Sequence, residues 1–184
     1  MSESFKLSSV SCDQWIEKIA QFRFEVWRAN EMIDLSLFPE QKCLEDVDYT
    51  AIHTVIESEG NLVAASRFTS YPDIHSTHLG DYYQKAGIKL EGAIGIPEHT
   101  VVQPNMVGKG LHRLIIAEIE RLARERSLNY TISECTEAAA QLLLKSGRKS
   151  FGKAPKDPRF PDIEFEWIVT DYTAESHTPA SAAE

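Results

Sequence analysis

The chain has few of the sequence features that cross-link a protein, direct it to another compartment or anchor it in a membrane. Three cysteines occur in 184 residues, Cys12, Cys43 and Cys135. Their odd number and long spacings indicate neither a disulfide framework nor a zinc site. The start lacks the basic residues and apolar stretch of a signal peptide, and no run approaches the roughly 20 apolar residues of a membrane helix. We therefore expect a reduced, cytoplasmic protein with no membrane partner.

Positive charge is also scarce. Lys and Arg number 19 against 28 Asp and Glu, which gives a formal net charge of −9 spread along the chain. A domain without a basic patch gains no counterion release, so we expect no nucleic-acid partner. The acidic surface could help to draw in an amine substrate, but it is also explained by solubility alone.

Length and composition fit a single domain. A chain of this size with 42% hydrophobic residues can bury roughly 70% of its unfolded surface without a metal or disulfide. We assign residues 1–170 to this domain. Residues 171–184 contain Thr, Ser, Ala and Pro without an apolar period, which predicts a disordered tail.

What the chain does contain is a strand, a glycine loop and a helix in direct succession. Val101 and Val102 end a β-branched run, Gly108 and Gly110 lie in the loop, and apolar residues follow at helical spacing from Leu111. The first N–H groups of a helix have no intrahelical partner, and the helix dipole adds partial positive charge there. The pattern therefore predicts a turn that binds phosphate through its backbone. An ordinary glycine-containing loop is the alternative.

Two common nucleotide-binding motifs do not describe this loop. A Walker loop needs Lys followed by Ser or Thr after its second glycine, whereas Lys109 lies between the two glycines. A dinucleotide fingerprint needs a third glycine where Arg113 stands, and an earlier βαβ unit that the sequence does not suggest.

The segment resembles the coenzyme A pyrophosphate loop of the GNAT superfamily of N-acetyltransferases. That pattern is a strand ending Val-x-Pro, two residues, and then Arg-Gly-x-Gly-x-Gly/Ala opening a helix; it is matched here at Val102, Pro104, Gly108 and Gly110. Val107 replaces the Arg, and His112 replaces the last small residue. The resemblance implies a single-domain α/β (α+β) fold, GNAT-like, with a mixed, mostly antiparallel sheet flanked by helices.

The surrounding segments supply a compatible framework. We predict a first helix over residues 13–30, a hairpin from 51–56 and 62–69, a strand over 130–135, a helix over 137–146 and a last strand over 163–169. The stretches 46–53 and 65–68 also look like the corresponding part of acyl-homoserine-lactone synthases, which share the GNAT fold.

The resemblance also implies the site. The co-substrate would be acetyl-CoA or another acyl-CoA, without a metal, and its binding residues would be Val101, Val102, Val107, Gly108, Lys109, Gly110, Leu111, His112 and Thr136. Acyl transfer needs a base for the ammonium group. Glu98, Glu134 and His99 are the candidates, and their facing depends on whether Pro97 causes a bulge. Leu143 stands where the family has a Tyr that protonates the departing thiolate.

The segment 70–92 is long and rich in turns, and it carries Tyr71, His75, His78, Tyr82 and Tyr83. It could form a wall of the acceptor site, or contain a short helix that only packs. His75 and His78 could hold a metal, but no third ligand is evident and a solvated pair explains them better.

These observations predict a coenzyme A dependent N-acyltransferase, most simply an N-acetyltransferase, that acts on a small amine or a protein amino group. One alternative is a long-chain acyl transferase supplied by an acyl carrier protein, although the chain shows no concentrated basic patch for an acidic carrier. The other is a degenerate acyl-CoA-binding sensor or interaction module, which is favoured by the absence of the family's Tyr, Arg and Asn, the last of which is replaced by Thr136. A homodimer is left open.

Overall fold

The computed structural model describes residues 4–11 and 13–173. Seven strands form one sheet in the spatial order β1-β2-β3-β4-β5-β7-β6. The strands are β1 (Phe5–Val10), β2 (Ile52–Ser58), β3 (Asn61–Tyr71), β4 (Ile94–Val102), β5 (Tyr130–Thr136), β6 (Lys149–Lys153) and β7 (Phe165–Asp171). The helices are α1 (Asp13–Ala29), α2 (Gly80–Lys85), α3 (Leu111–Glu125) and α4 (Glu137–Lys145), with short 3₁₀ helices at Leu35–Leu37, Asp46–Tyr49 and Pro104–Met106.

Every neighbouring pair of strands is antiparallel except β4 and β5, which are parallel and joined by α3. The predicted mixed, mostly antiparallel sheet flanked by helices is therefore confirmed. In the part of the chain that the structure describes, no helix is both long enough and apolar enough to cross a membrane.

The two faces of the sheet are covered by different helices. On one face, Val55, Ala65 and Val101 pack with α1, and Ile94, Ile96 and Ile132 pack with Tyr83 of α2. On the other face, Ala64 and Val102 pack with α3, and Cys135 and Ile168 pack with α4. Alternate residues of each strand face opposite sides, so these clusters show which side chains of β4 and β5 share a face.

The predicted elements occur within a few residues of their expected bounds, and two strands were not predicted. These are β1, which lies at one edge of the sheet, and β6, which lies at the other. All five residues of β6 are exposed, so its sequence lacks the alternating apolar pattern that indicates a half-buried strand. The turn-rich segment 70–92 contains α2, whose Tyr83 is buried.

A β-bulge interrupts β4 at His99. Arg67 of β3 pairs with Glu98 and Ala65 pairs with Val101, so three steps along β4 oppose two along β3. His99 has a φ of 50°, which is uncommon for a residue other than glycine. The suspected irregularity therefore exists, but it lies two residues after Pro97. As a result, Glu98 shares its face with Val101 rather than with Val102.

The proposed boundary of the domain lies inside the last strand. Asp171 ends β7, and Tyr172 is buried in the cluster under α3 while its N–H donates to the carbonyl of Asn129 at 2.8 Å. The ordered chain thus continues to at least Thr173. Residues 174–184 lie outside the described part, so the disordered tail stays a prediction there.

Candidate active site

β4 and β5 separate soon after they begin. They pair only at Ile94–Tyr130 and Gly95–Thr131, although β4 runs to Val102 and β5 to Thr136. On their outer edges, β4 stays paired with β3 up to Val102 and β5 stays paired with β7 up to Thr136. The two inner edges therefore part into a cleft. Because parallel strands point the same way, the cleft opens at their carboxyl ends, where open α/β sheets commonly bind ligands.

The glycine loop lies at this open end. Gly108 and Gly110 have φ values of 86° and 82°, in the left-handed region that glycine adopts readily. Gly110 is the residue before the first turn of α3, and that turn contains no acidic side chain. Among the backbone hydrogen bonds of the described residues, none uses the N–H of Gly108, Gly110, Leu111 or His112. The loop therefore presents several unpaired donors next to the cleft.

The other residues proposed to hold acyl-CoA fall into two groups. The side chains of Val101, Val102 and Leu111 are buried in the core, so only their backbone could contact a ligand. Val107, Lys109 and His112 are exposed on the loop and the start of α3, and Thr136 is the last residue of β5, directly before α4. The structure thus gathers these residues around the open end of the cleft, and their contacts with acyl-CoA remain a prediction.

Glu98 lies on the β4 side of the cleft, where its carboxyl group contacts two basic side chains, Arg67 and His78. Its Oε2 lies 3.1 Å from Nη2 of Arg67 and 3.1 Å from Nε2 of His78. Burial alone would raise the pKa of Glu98, but the hydrogen bond from His78 and the charge of Arg67 hold it below its usual value. Glu98 is therefore a carboxylate at neutral pH.

Arg67 belongs to a buried ionic cluster beneath the site. Its Nη2 lies 2.7 Å from Oε2 of Glu45, and its Nη1 lies 3.2 Å from Oδ1 of Asp48. The same Asp48 oxygen accepts a hydrogen bond of 2.7 Å from Arg23, and Arg159 pairs with Glu45. Arg23, Asp48 and Arg67 are almost completely buried. Such charges are tolerated in a core only when they are paired.

Glu134 lies on the β5 side of the cleft, on the same face as Glu98. Glu98 follows Ile96 by two residues and Glu134 follows Ile132 by two, and both isoleucines pack in the α2 cluster. Oε1 of Glu134 accepts a hydrogen bond of 2.9 Å from Trp167. Burial raises the pKa of Glu134, and the negative charge of Glu98 adds to this shift. The two carboxyl groups thus have pKa values displaced in opposite directions.

His99, the third candidate base, lies beside α1. Its ring packs edge-on against Trp27 at 5.2 Å, and its two nitrogens lie 3.9 Å from Cys43 Sγ and 3.9 Å from Glu45. Burial lowers the pKa of His99 well below its usual value, and the charge of Arg67 acts in the same direction. His99 is therefore neutral at pH 7.

Leu143 packs with Cys135, Ala140 and Ile168 on the sheet face opposite to Glu98. A phenol does lie on the face of Glu98: the hydroxyl of Tyr82 donates a hydrogen bond of 3.3 Å to the carbonyl oxygen of Pro155, and its ring packs against Trp167, which donates a hydrogen bond to Glu134. Burial and the charge of Glu134 raise the pKa of Tyr82. Tyr82 is thus a candidate for the proton donor that Leu143 cannot be.

Several residues of the site were not identified from the sequence. Arg67, Asp48 and Arg23 come from three distant segments, and only folding brings them together. His78 was interpreted as part of a solvated pair or a metal site, but it bonds to Glu98 and Tyr71. No group of three or more His, Cys, Asp or Glu residues in the described ranges is arranged to hold a metal.

Comparisons with known proteins find similarity in structure. No protein-family model matches the chain, and a sequence comparison with curated proteins gives no match. FeeM, an N-acyl amino acid synthase from uncultured soil microbes, is similar with a TM-score of 0.67 and 8% identity, covering 92% of this chain and 91% of its own. The CoA-dependent acyl-homoserine lactone synthase MesI has a TM-score of 0.66 and 16% sequence identity, and the match covers 93% of this chain and 91% of MesI.

The polyamine N-acetyltransferase of Drosophila melanogaster, which catalyses the formation of N-acetylagmatine, gives a TM-score of 0.63 and 14% identity, covering 90% of this chain and 100% of its own. At such identities these likenesses show a shared fold and leave the reaction open. The fold that the glycine loop predicted is nevertheless confirmed over nine-tenths of the chain.

The buried ionic cluster leads to a prediction about stability. Burial alone would raise the pKa of Asp48, but Arg23 and Arg67 hold it below its usual value. Asp48→Asn should lower the free energy of unfolding at pH 7 by about 3–5 kcal/mol, because two buried guanidinium groups lose their shared counter-charge. Urea denaturation measures this change. Asp46→Asn, an exposed substitution in the same 3₁₀ helix, is the matched control and should change stability little.

The ion pairs of Asp48 with Arg23 and Arg67 also predict how acid affects stability. Since the pKa of Asp48 is lower in the folded state, its contribution to stability is present above the unfolded value of about 3.9 and is lost as the pH falls through the folded value. The difference in stability between wild type and Asp48→Asn should therefore shrink below about pH 4. If wild type and Asp48→Asn are equally stable at pH 7, Asp48 makes no net contribution to stability and the prediction is wrong.

Proposed function

Since the chain has the fold of the GNAT acyltransferases, we propose that it is a coenzyme A dependent N-acyltransferase that moves an acyl group from acyl-CoA directly to a primary amine. The observation that carries this proposal is the cleft between β4 and β5, which has a carboxylate on its wall and unpaired N–H groups at its open end. A thioester placed in the cleft would lie between the phosphate-binding loop and Glu98.

The cleft fits the chemistry of acyl-CoA. Its pyrophosphate needs hydrogen-bond donors, which Gly108, Gly110 and the first turn of α3 supply through their backbone. Its pantetheine arm contains amide groups, and the inner edges of β4 and β5 present free peptide groups of the same kind. A Cβ at Gly108 or Gly110 would meet no other atom within 4 Å, so the surface above the loop is open.

Direct transfer is favoured over an acyl-enzyme by the state of the thiols. Cys43 and Cys135 are both buried, and burial raises the pKa of each to about 12. Only the thiolate is a good nucleophile, so neither side chain is suited to accept an acyl group. The amine itself is then the nucleophile, and it must lose a proton in order to attack.

Glu98 is the group that we assign to this proton transfer. Glu98 is ionised, and its side chain is 14% exposed. It lies on the wall of the cleft rather than beside the glycine loop. Glu134 lies on the opposite wall with a raised pKa. Pairs of carboxyl groups whose pKa values are displaced in opposite directions commonly divide the work of base and acid. On this assignment Glu98 is the base, and the Glu134–Tyr82 pair lies on the leaving-group side.

A second candidate function is synthesis of an N-acyl amino acid or acyl-lactone from a longer acyl donor. It is favoured by the similarity to FeeM and MesI, whose TM-scores are at least as high as that of the polyamine acetyltransferase. A third candidate, an acyl-CoA-binding module without catalysis, is favoured by the position of Leu143, which faces away from Glu98.

One assay separates these candidates. Release of free thiol is measured with acetyl-CoA, octanoyl-CoA and an octanoyl acyl carrier protein as donors, and with agmatine, spermidine and free amino acids as acceptors. Fastest release from acetyl-CoA with an amine supports the proposed function, whereas a requirement for a long acyl chain and an amino acid supports the second candidate. Binding of acyl-CoA without thiol release supports the third.

The first prediction of this proposal concerns the glycine loop. Acetyl-CoA should raise the melting temperature of the wild type, because a ligand bound only by the folded state stabilises it by about 2.7 kcal/mol at a hundredfold excess over its Kd. Gly110→Asp should abolish the shift, since it places a carboxylate beside the phosphate site. Differential scanning fluorimetry at millimolar ligand measures both.

Gly60→Asp is the matched control. Gly60 has a φ of 79° and open space around its Cβ position, as Gly110 has, but it lies in the β2–β3 turn. It should show the same backbone strain and keep the ligand-induced shift. The assignment of the loop is wrong if the wild type shows no shift, or if both variants lose it equally.

The second prediction concerns Glu98. Glu98→Gln should lower kcat by about 10² to 10⁴, the usual range for a removed general base, and leave the Kd for acyl-CoA nearly unchanged. The loss should diminish at high pH, where more of the amine is already neutral. Steady-state kinetics and calorimetry measure the two quantities. If Glu98→Gln is fully active while Glu134→Gln or His99→Ala is inactive, the base is one of those residues instead.

The third prediction concerns the leaving group. Because burial and the charge of Glu134 raise the pKa of Tyr82, its hydroxyl stays protonated in the wild type, and kcat should not decline below about pH 10. Tyr82→Phe should lower kcat without changing the Kd for acyl-CoA. Tyr130→Phe is the control, since Tyr130 lies where β4 and β5 are still paired. A decline near pH 10 that persists in both variants would exclude Tyr82 from this role.

A further inference from the structure

His78 is held in a defined position at the start of α2. The carboxylate of Asp73 accepts hydrogen bonds from the N–H of Ser76 at 2.8 Å and from its hydroxyl at 3.0 Å. The N–H of Gly80 donates to the carbonyl of Thr77 at 3.0 Å. A Cβ at Gly80 would lie 2.5 Å from the carbonyl oxygen of His75, so only glycine permits this close turn. The loop that carries His78 is therefore compact rather than loosely solvated.

A chain of hydrogen bonds runs through the His78 ring. Nε2 of His78 lies 3.1 Å from Oε2 and 3.3 Å from Oε1 of Glu98. Nδ1 of the same ring lies 2.8 Å from the hydroxyl of Tyr71. The three side chains come from β4, the loop before α2 and β3. The His78 side chain is 24% exposed, so the chain leads from the cleft to solvent.

The proposed reaction needs such a route for a proton. Glu98 has a lowered pKa, which makes it a weak proton acceptor, and its other close partner is Arg67, whose guanidinium cannot take up a proton. A proton transferred to Glu98 must therefore move on. Histidine is the side chain that changes its charge most readily between about pH 5 and 8, and His78 is the histidine in hydrogen-bond contact with Glu98.

We propose that His78 accepts, through Glu98, the proton that the substrate ammonium group loses, and that it releases this proton to solvent while Tyr71 holds the ring. The inference rests on the proposed acyltransferase function. Of the three ammonium protons, one stays on the amide nitrogen, one leaves on the coenzyme A thiol and one becomes a free proton. The C–N bond forms as the C–S bond breaks. His78 carries the third proton and acts through Glu98 rather than on the substrate.

The charges around the ring suit this task. In the described part of the chain, the other titratable or charged groups that interact with Glu98 or His78 are Arg67 and Tyr71 of β3, His99 of β4, Tyr83 of α2 and Glu134 of β5. His99 is neutral. Burial raises the pKa of Tyr83, so its phenol is neutral as well. Among the described residues, Glu98 thus places its carboxylate in direct contact with the His78 ring.

His78→Gln tests the proposal, because an amide can still donate a hydrogen bond to Glu98 but cannot take up a proton. With acetyl-CoA and the fastest amine of the panel above, kcat at pH 7 should fall by about 10- to 100-fold, while the KM for acetyl-CoA should not change. The deficit should close as the pH rises and the amine becomes neutral. Added imidazole should restore part of the activity of His78→Ala.

His75→Gln is the matched control, since His75 lies in the same loop and is exposed. It should keep the wild-type kcat and pH profile. Melting temperatures of all variants show whether each is folded. If His78→Gln keeps the wild-type kcat and pH profile, the proposal is wrong. It is also wrong if kcat falls equally at every pH and imidazole restores nothing, because His78 would then only position Glu98.

The failure of the proposed function gives a different result. In that case the wild type itself releases no thiol from acetyl-CoA with any amine of the panel and shows no binding of acetyl-CoA by calorimetry. That outcome overturns the acyltransferase assignment and the role of His78 with it, whereas an active wild type with an unaffected His78→Gln overturns the role of His78 alone.

Discussion

The parting of β4 from β5 is the constraint on which the site depends. Two parallel strands that stayed paired would satisfy each other's peptide groups and leave no room for a ligand. Here they pair at two positions and then separate, while β3 and β7 keep their outer edges in place. The separation places a carboxyl group on each wall, at Glu98 and Glu134, and it directs the starts of α3 and α4 toward the same opening.

The position of Glu98 on its wall depends on two further features. The bulge at His99 changes the facing of β4 between Glu98 and Val102, so that Glu98 lies on the α1 and α2 face while Val102 packs under α3. The buried cluster of Arg23, Asp48 and Arg67 then fixes the carboxylate from below. A buried charge network of this kind costs desolvation energy. Its arrangement beneath a cleft, rather than elsewhere in the core, suggests that it serves to orient Glu98.

The sequence was sufficient to predict α1, α3 and α4, the hairpin and the strand–loop–helix unit, because these are local patterns of apolar spacing and of glycine. It could not predict β6, whose residues are all exposed, nor the site of the bulge, which depends on how β4 fits against β3. Glu98 and Glu134 could be named as candidates from their strands. Arg23, Asp48, Arg67 and His78 could not, because they come from segments up to 75 residues from Glu98 in the sequence and meet only in the folded chain.

Hydrogen exchange with and without acetyl-CoA is the most direct test of the account. The free N–H groups of Gly108, Gly110, Leu111 and His112, and the inner edge of β4, should exchange more slowly when acetyl-CoA is added, because the ligand would provide the hydrogen-bond partners that the fold leaves out. Slowed exchange confined to another part of the chain, or none at saturating ligand, would contradict the claim that the cleft between β4 and β5 is an acyl-CoA site.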